Sequence, residues 1–515
     1  MYKSLKILFI FYLLLCVENV SLHSRSRTVV KSCREFTKEN CTYFIKKEID
    51  LCGELLIIPS NCKLVFKGKG NISNGAIQFD QTVIKNPKFQ NVNCSGQVVT
   101  QDIHDSDFDF QDDCSQLIWL IEMSALNNTT LSLSHDYHIS SRNYVQRKDI
   151  DGAKLVYLVL LDCIDGFSIK GNNYTIYDDF VTHSEVVDFI VLNRCKNINI
   201  SNLNYCQPYN RPCVDLEIGG GVEVIRTIGD CSDINLIGVS GENVCAVFRA
   251  GIWGLNNYVT TGLSNSVLDI NALNVRYGIA IDRADNVELN ISFKDVHRGI
   301  SACGLTNSTI NSFGCNAKTP TLVLLKDSIS YSKADINYTT PIFTECNNVV
   351  VNSTRNGLDD NYDVAVYIAD YGKEYHFTNR NTPYRFENII VNIRNLHGTK
   401  SQGVVVALHG KNDVKDYIDI KITSPSFNNK GYHFFNMNSS DNIYGSITFD
   451  EIQTNGKISM TGESELNVLI QNSLLGDIAY DGDATSGYVR IHKSKFGKLI
   501  PLSNKARHKN IFICE

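Results

Sequence analysis

The feature that most constrains the fold of this chain is a repeat of short apolar runs separated by turns rich in Asn, Asp and Gly. From about residue 155 onward, two kinds of short strand alternate. Tight apolar runs occupy residues 156–161, 187–192, 222–225, 244–248 and 278–281. Less apolar strands follow the turns, at residues 167–169, 198–200, 234–236, 287–289 and 349–351. Such internal repetition is typical of a solenoid, in which each coil buries its apolar face only against its neighbours.

Turn chemistry and strand length favour one type of solenoid. An Asn-Ile-x-Ile-x-Asn sequence at residues 197–202 recurs with variations. Asn suits tight corners because it tolerates left-handed backbone angles. Neither the longer alternating strands of a β-sandwich nor the fixed blade period of a propeller is present. The sequence predicts an all-β, single-stranded, right-handed parallel β-helix solenoid with one short N-terminal helix.

The first residues predict export. Lys3 and Lys6 precede an apolar run over residues 7–17, which is too short for a membrane span of roughly 20 residues. Residues 1–24 are therefore predicted to be a secretory signal peptide. A lipid anchor at Cys16 is not favoured, because a leucine rather than a small residue precedes it. We expect a secreted, periplasmic or cell-surface protein without a transmembrane span.

Two further regions follow the signal peptide. Residues 25–105 are predicted to form an N-terminal β-rich cap and first coils, and residues 106–515 the β-helix. Apolar positions 117, 118, 120, 121 and 125 fall on one face of a short helix over residues 112–125. Asp113 is the predicted cap of this helix.

Charge and cysteine content narrow the classes of function. A net charge of -6 and a pI near 6.1 argue against nucleic-acid binding. Four of the 17 cysteines recur in similar contexts and predict an internal stack of small apolar side chains, namely Cys163, Cys195, Cys231 and Cys346. Disulfides are instead expected among Cys33, Cys41, Cys52 and Cys62.

The region after the predicted cap resembles a known family. An acidic pair (Asp112, Asp113), a short helix and a strand through Leu133-Ser134-His135-Asp136-Tyr137 are similar to the N-terminal segment of pectate-lyase-like β-helix proteins. The turn glycine of that family's Pro-x-Gly-x-Tyr strand end is absent here. Residues 57–75 are similar to the first coils of exported β-helix proteins of gut-type bacteria. The resemblance implies a polysaccharide-active protein with a groove along one outer face.

The repeat places candidate site residues in a register. Residues that directly follow the tight strands are expected to stack as one column, consisting of Asp162, Asn193, Arg226, Arg249, Asp282, Cys303, Lys326, Ala369, His409 and Asn436. The charged middle of this column gives the predicted catalytic residues, which are Arg249, Asp282, Arg283, His297, Arg298 and Lys326. Aromatic faces suit stacking against sugar rings, and they equally seal loops onto the solenoid. The predicted substrate-binding residues are Trp253, Tyr277 and His409.

Two reactions remain open at such a site. A lyase needs a cation to stabilise the enolate and a base to remove a proton, roles that Arg, Lys and His side chains can fill. A glycoside hydrolase needs two carboxyl groups, for which Asp282 with Asp285, or Asp359 with Asp360, are available. The plainer interpretation is that these charges are solvated turns and surface ion pairs.

The function predicted from the sequence is therefore a polysaccharide lyase or glycoside hydrolase that acts along the β-helix groove. The alternative is a non-catalytic β-helix that binds glycan or builds a surface structure. The expected partner is a polysaccharide or glycan, and the expected state is a monomer or homotrimer. No metal site is predicted by spacing. Calcium held by scattered carboxylates is left open, since no motif defines it.

Overall fold

The computed structural model describes most of the chain after the N-terminal segment. The described residues are 26–100, 103–150, 153–179, 185–208, 221–251, 262–281, 283–317, 322–325, 345–355, 364–369, 385–395, 402–408, 415–427, 433–480, 487–503 and 510–514. They form two compact units, the first ending at Met123 and the second beginning at Ser124.

The first unit is built from short parallel strands. Its strands are β1 Arg27–Val30, β2 Thr42–Ile45, β3 Glu48–Asp50, β4 Leu55–Ile57, β5 Lys63–Phe66, β6 Asn71–Lys85, β7 Phe89–Val99 and β8 Ile103–His104. β1, β2, β5 and β6 pair in that order, and every pairing among β1 to β7 is parallel. Buried Tyr43, Leu64, Ile72 and Val92 show that alternate side chains of these strands face a core.

One α-helix, α1, spans Asp113–Leu126, as the apolar spacing predicts. Its cap is Asp112 rather than Asp113. The Ser115 backbone N–H donates to Oδ2 of Asp112 over 2.7 Å, and the Ser115 hydroxyl donates to the Asp112 carbonyl. The predicted cap was wrong by one residue because both members of the acidic pair precede the apolar face. Short 3-10 turns lie at Cys33–Glu35, Asp105–Asp107 and Ser141–Asn143.

The second unit consists of strands stacked coil upon coil. The first strands of this unit are β9 Thr130–Ser132, β10 Tyr137–Ile139, β11 Gln146–Ile150, β12 Ala153–Asp162, β13 Asp165–Lys170, β14 Thr175–Asp178, β15 Val186–Asn193, β16 Lys196–Ser201, β17 Asn204–Cys206 and β18 Gly221–Ile228. The middle strands are β19 Asp230–Glu242, β20 Ala246–Ala250, β21 Gly262–Leu273, β22 Tyr277–Ile281, β23 Ala284–Val296, β24 Arg298–Cys303, β25 Leu305–Ala317 and β26 Leu322–Leu325. The remaining strands are β27 Glu345–Arg355, β28 Val364–Ala369, β29 Arg385–Asn395, β30 Gln402–Ala407, β31 Asp416–Phe427, β32 His433–Thr454, β33 Lys457–Gln471, β34 Ile478–Tyr480, β35 Tyr488–His492, β36 Leu499–Pro501 and β37 Asn510–Cys514.

Pairing between coils defines three sheets. The first sheet contains the tight apolar strands, with β12, β15, β18, β20, β22, β24, β26, β28 and β30 paired in that order. The second sheet begins with β13 and β16, and the third with β14 and β17. Because β16 and β17 both pair with β19, the long strands from β19 onward contribute their first halves to the second sheet and their second halves to the third. These pairings are parallel, whereas β11 is antiparallel to β12.

Asparagine turns set the corners, as the recurrent motif predicts. Asn307, Asn348 and Asn388 occupy equivalent positions with φ between 48° and 54°, in the left-handed region that Asn tolerates. Their side chains form a ladder in which each amide N–H donates to the side-chain oxygen of the asparagine on the preceding coil, from Asn348 to Asn307 over 3.0 Å and from Asn388 to Asn348 over 2.7 Å. Stacked amides thus satisfy one another at successive coils.

Apolar rows fill the interior between the sheets. One row of the first sheet runs through Ile190, Ile225, Phe248, Ile279 and Ile300, and all five side chains are buried. The all-β parallel β-helix prediction is confirmed. Within the described residues, no helix is long and apolar enough to cross a membrane.

The cysteine stack is only partly as predicted. Cys195, Cys231 and Cys346 are buried, but Cys163 is exposed and has a φ of 55°. It lies at the turn, one residue before the position that pairs with Cys195. Disulfides were expected among Cys33, Cys41, Cys52 and Cys62, but none of these four cysteines forms a disulfide in the described structure.

Candidate functional site

Four charged side chains come together on the first sheet. Asp188 of β15 is paired in register with Glu223 of β18, and Arg226 of β18 with Arg249 of β20. We call these four residues the charged cluster. They are carried by strands whose other residues are mostly apolar, so the cluster is a charged group within a mostly apolar sheet.

One guanidinium bridges the two carboxyl groups of the cluster. Arg226 Nε lies 2.8 Å from Asp188 Oδ1, and Arg226 Nη2 lies 2.5 Å from Glu223 Oε2. The second arginine approaches from the next coil, with Arg249 Nε 2.8 Å from Glu223 Oε1. Arg226 also donates to the carbonyl of Gly251. Each carboxyl group therefore has at least one charged partner.

Burial shifts the protonation of the two acids in opposite directions. Asp188 is 2% exposed and Glu223 is 0% exposed. Burial raises the pKa of Asp188 to about 7, against the opposing effect of Arg226, and the nearby Glu223 adds to the rise. Burial also acts to raise the pKa of Glu223, but Arg226 and Arg249 together outweigh it and lower that pKa. The pair thus has one carboxyl group that holds its proton near neutral pH and one that stays ionised.

Aromatic and basic residues extend the cluster along the first sheet. The guanidinium carbon of Arg249 lies 5.6 Å from the ring centre of Tyr277, and that of Arg276 lies 5.4 Å from it, within cation–π range. The ring of His297 meets Tyr277 edge-on at 6.3 Å. Arg298 is paired with Tyr277 in register. Four predicted site residues, Arg249, Tyr277, His297 and Arg298, therefore lie in one region of the first sheet.

A buried hydroxyl group lies on the first sheet in register with the two arginines of the cluster. Ser301 follows Arg226, Arg249 and Ala280 in register. Its Oγ is buried and has no hydrogen-bond partner among the described residues. Buried polar atoms are satisfied in most proteins, so an orphaned one calls for a functional or solvent partner.

The other predicted site residues do not join the cluster in the described structure. Arg283 is exposed at the turn before β23. The remaining four lie outside the described residues, and these are Asp282, Lys326, Trp253 and His409. Of the proposed hydrolase pairs, Asp285 is exposed and accepts hydrogen bonds from Thr306 and Asn307, while Asp359 and Asp360 lie outside the described residues.

The predicted column is confirmed for the pair Asp162 and Asn193 but is wrong in register further along the sheet. Arg226 does pair with Arg249, but Asn193 pairs with Ile228, and Arg249 pairs with Ala280 rather than with Asp282. The prediction aligned the ends of apolar runs, whereas β18 continues for two residues beyond Arg226. Strands of unequal length place their last residues at different heights along a parallel sheet.

Sequence reasoning missed the acidic half of the cluster. Asp188 and Glu223 each interrupt a tight apolar run, at the third position of β15 and of β18. A single charge inside a strand predicted to be buried is the signal that was available, because such a charge requires a partner. Among the described residues, no group of three or more His, Cys, Asp or Glu is arranged to hold a metal ion.

Fold and cluster together define the chain as a parallel β-helix protein with a buried ionic centre on its first sheet. No family model and no curated protein matches the sequence. The chain is similar to the catalytic domain of a GH87 α-1,3-glucanase solved with tetrasaccharides, with 9% identity over 77% of this chain and 66% of that chain and a TM-score of 0.34. It is also similar to the Streptococcus pneumoniae surface protein and adhesin PfbA, with 12% identity over 92% of this chain and 91% of that chain and a TM-score of 0.27. At these scores neither likeness assigns a site or an activity to this chain.

Proposed function

We propose that the protein is a polysaccharide-active enzyme that hydrolyses a glycosidic bond at the charged cluster. The observation that carries this proposal is the opposite shift of two carboxyl groups held by one guanidinium. Glycosidases need one carboxylic acid that keeps its proton near neutral pH and one ionised carboxylate. Asp188, with a pKa raised to about 7, is the general acid. Glu223, with a lowered pKa, is the nucleophile.

The register of the pair predicts the stereochemistry of the reaction. Asp188 and Glu223 are direct neighbours on paired strands, which lie about 4.8 Å apart. Retaining glycosidases separate their carboxyl groups by about 5 Å, whereas inverting enzymes need room for a water molecule between them. The Asp188 and Glu223 side chains are hydrogen-bonded to each other and leave no room for a water molecule between them. The arrangement is therefore nearer to that of a retaining enzyme, and we expect the proposed hydrolase to retain the anomeric configuration.

The same contacts make a lyase the weaker choice. A lyase of acidic polymers needs a cation to neutralise the carboxylate of the substrate. Both arginines of the cluster have a side-chain nitrogen within 2.8 Å of the Glu223 carboxylate, so each guanidinium is already held by a contact inside the protein.

Burial favours a second candidate function, a glycan-binding protein without catalysis. Neither carboxyl group of the pair is more than 2% exposed, and a substrate must reach both. In this alternative the cluster is a structural ion network that fixes the register of β15, β18 and β20.

A glycan panel separates the two candidates. The full chain is incubated with soluble neutral and acidic polysaccharides, and reducing ends and unsaturated products are both measured. We expect reducing ends, with a loss of about 100-fold or more in rate in Asp188→Asn and in Glu223→Gln. Glu465→Gln is the matched control, since Glu465 forms an exposed ion pair with Lys415. The hydrolase proposal is wrong if no glycan is cleaved, or if both folded variants match the control.

The pectate-lyase-like likeness and the location outside the cell belong to this proposal. The location rests on the predicted signal peptide over residues 1–24, and the mass of the N-terminal peptide after export tests it. An intact N-terminus on the exported chain would refute the cleavage.

A further inference from the structure

A second feature lies on the third sheet, away from the strands that carry the charged cluster. A cavity of about 620 Å³ runs across β14, β17 and the second halves of β19, β21, β23 and β25. We call it the groove. Its floor includes a row of residues paired from coil to coil, namely Thr175, Asn204, Ser240, Asn271, Ser292 and Phe313.

Alternation along the strands explains why a row of hydroxyl and amide groups faces the open groove. In β21, Ala272 is buried, whereas its neighbours Asn271 and Leu273 are exposed. The same period of two holds in β23, where buried Phe293 lies between exposed Ser292 and Lys294. Side chains of one strand point alternately to the two faces of a sheet. The row of hydroxyl and amide groups therefore faces outward, above an apolar interior.

Aromatic rings lie at both ends of this surface. Phe313 is 47% exposed. At the other end, Tyr177 stacks on His138, with ring centres 4.9 Å apart and planes inclined by 13°. Aromatic faces bind the C–H faces of sugar rings, while hydroxyls and amides hydrogen-bond to sugar hydroxyls. Both types of contact are available in the same groove.

The charges that line the groove point to a neutral ligand. Glu242 and Lys294 line it with opposite charges, and they lie in the same row as Leu273. An acidic polymer is usually matched by an excess of basic groups, which the lining does not offer. A hydroxyl-rich, uncharged chain fits both its composition and its charge.

The outward row continues beyond the groove. Phe313 pairs with Thr354, and Thr354 pairs with Arg394. Thr354 and Arg394 line a second cavity of about 440 Å³, where Glu451 again supplies an opposite charge. From Thr175 to Arg394 the row makes seven coil-to-coil steps of about 4.8 Å, or roughly 34 Å. This length suits a polymer rather than a single sugar.

We propose that the groove and the row that continues it are a binding site for a neutral polysaccharide, separate from the charged cluster. The polymer lies along the solenoid axis, hydrogen-bonds to the row of hydroxyls and amides, and packs a sugar ring on Phe313. This binding does not depend on hydrolysis at Asp188 and Glu223.

Binding of the full chain to soluble polysaccharides tests the site. Affinity electrophoresis with α-glucan, β-glucan, galactomannan and xylan is compared with polygalacturonate and alginate. We expect at least one neutral polymer to retard the protein, and Phe313→Ala to weaken this binding about tenfold, in line with the loss of one aromatic stacking contact. Phe512→Ala is the matched control, because Phe512 of β37 is 49% exposed and does not line the groove.

Catalytic variants keep the two proposals distinguishable. Glu223→Gln should bind the neutral polymer as tightly as the wild type, even if it has lost hydrolysis. The binding proposal is overturned if no neutral polysaccharide retards the protein, if only acidic polymers do, or if Phe313→Ala binds as well as Phe512→Ala.

Discussion

Replacing Asp188 with asparagine tests the electrostatics of the charged cluster directly. The pKa of Asp188 is raised to about 7 by burial, whereas an aspartate in an unfolded chain has a pKa of about 3.9. The folded state thus binds this proton more tightly than the unfolded state. The stabilisation is complete below about pH 4 and is lost as the pH rises through about 7. A difference of about 3 in pKa corresponds to about 4 kcal/mol.

Asparagine removes this dependence because it keeps an acceptor oxygen for Arg226 and does not titrate. We expect the wild type to lose stability between about pH 4 and pH 8, and Asp188→Asn to lose about 4 kcal/mol less over the same range. Glu223 has a lowered pKa, so its own contribution is lost only at lower pH and does not mask the effect.

Hydrogen exchange of the amides of β15 and β18 is the suitable assay, because long repeat arrays seldom unfold in one step. Asp285→Asn, at an exposed position near the start of β23, is the control for a change of charge alone. Equal pH slopes in the wild type and in Asp188→Asn would refute the reasoning. Greater protection of the β15 amides at higher pH in the wild type would also refute it. That pH dependence is the one expected of an ordinary ion-paired carboxylate.

Three further predictions concern the fold. Asn348→Ala should lower stability by about 1–3 kcal/mol, because it breaks the amide ladder and strains a φ of 54°; Asn348→Gly should lose less, and equal thermal midpoints would contradict this. Gly445→Ala should prevent normal packing, since its φ is 128° and a Cβ would lie 2.0 Å from the Ile418 oxygen; an unchanged circular dichroism melt would argue otherwise. Iodoacetamide should label exposed Cys163 in the native protein but not Cys231, whose pKa burial raises to about 11; early labelling of Cys231 by mass spectrometry would show that its row is not closed.

The fold was predictable because its signals are local. Asn197 and Asn202 both adopt positive φ, and each marks a corner that the sequence shows as a recurring asparagine. Apolar runs such as those of β15 and β18 bury their side chains as their composition requires. A coil needs only its own turn and its neighbour, so the repeat in the sequence carries most of the information.

The site was less predictable because it depends on register between distant residues. Arg226 lies 38 residues after Asp188, and the sequence does not show which residues of the two strands face each other. Aligning strand ends grouped Arg249 with Asp282 and left out Glu223, its actual ion partner. His297 and Tyr277 were found because both lie at the start of the first-sheet segment of consecutive coils, where an error of one or two residues in register matters less.

The charged cluster is costly to bury. Burying four charged groups requires several kcal/mol of desolvation for each ion, and well-packed apolar replacements of similar volume are often as stable or more stable. We therefore expect a combined variant to fold with unchanged or higher thermal stability and to lose hydrolysis. This variant carries the four substitutions Asp188→Leu, Glu223→Met, Arg226→Met and Arg249→Met.

Single variants behave differently from this combination. Glu223→Gln alone removes a charged partner of both arginines, and breaking a buried pair in this way costs about 3–5 kcal/mol. If the combined variant is instead less stable than Glu223→Gln, the cluster is a structural network whose charges the first sheet requires. If the combined variant still cleaves the polysaccharide, the reaction takes place elsewhere on the solenoid. Only a catalytic role for the cluster predicts that the combined variant keeps its stability and loses its activity.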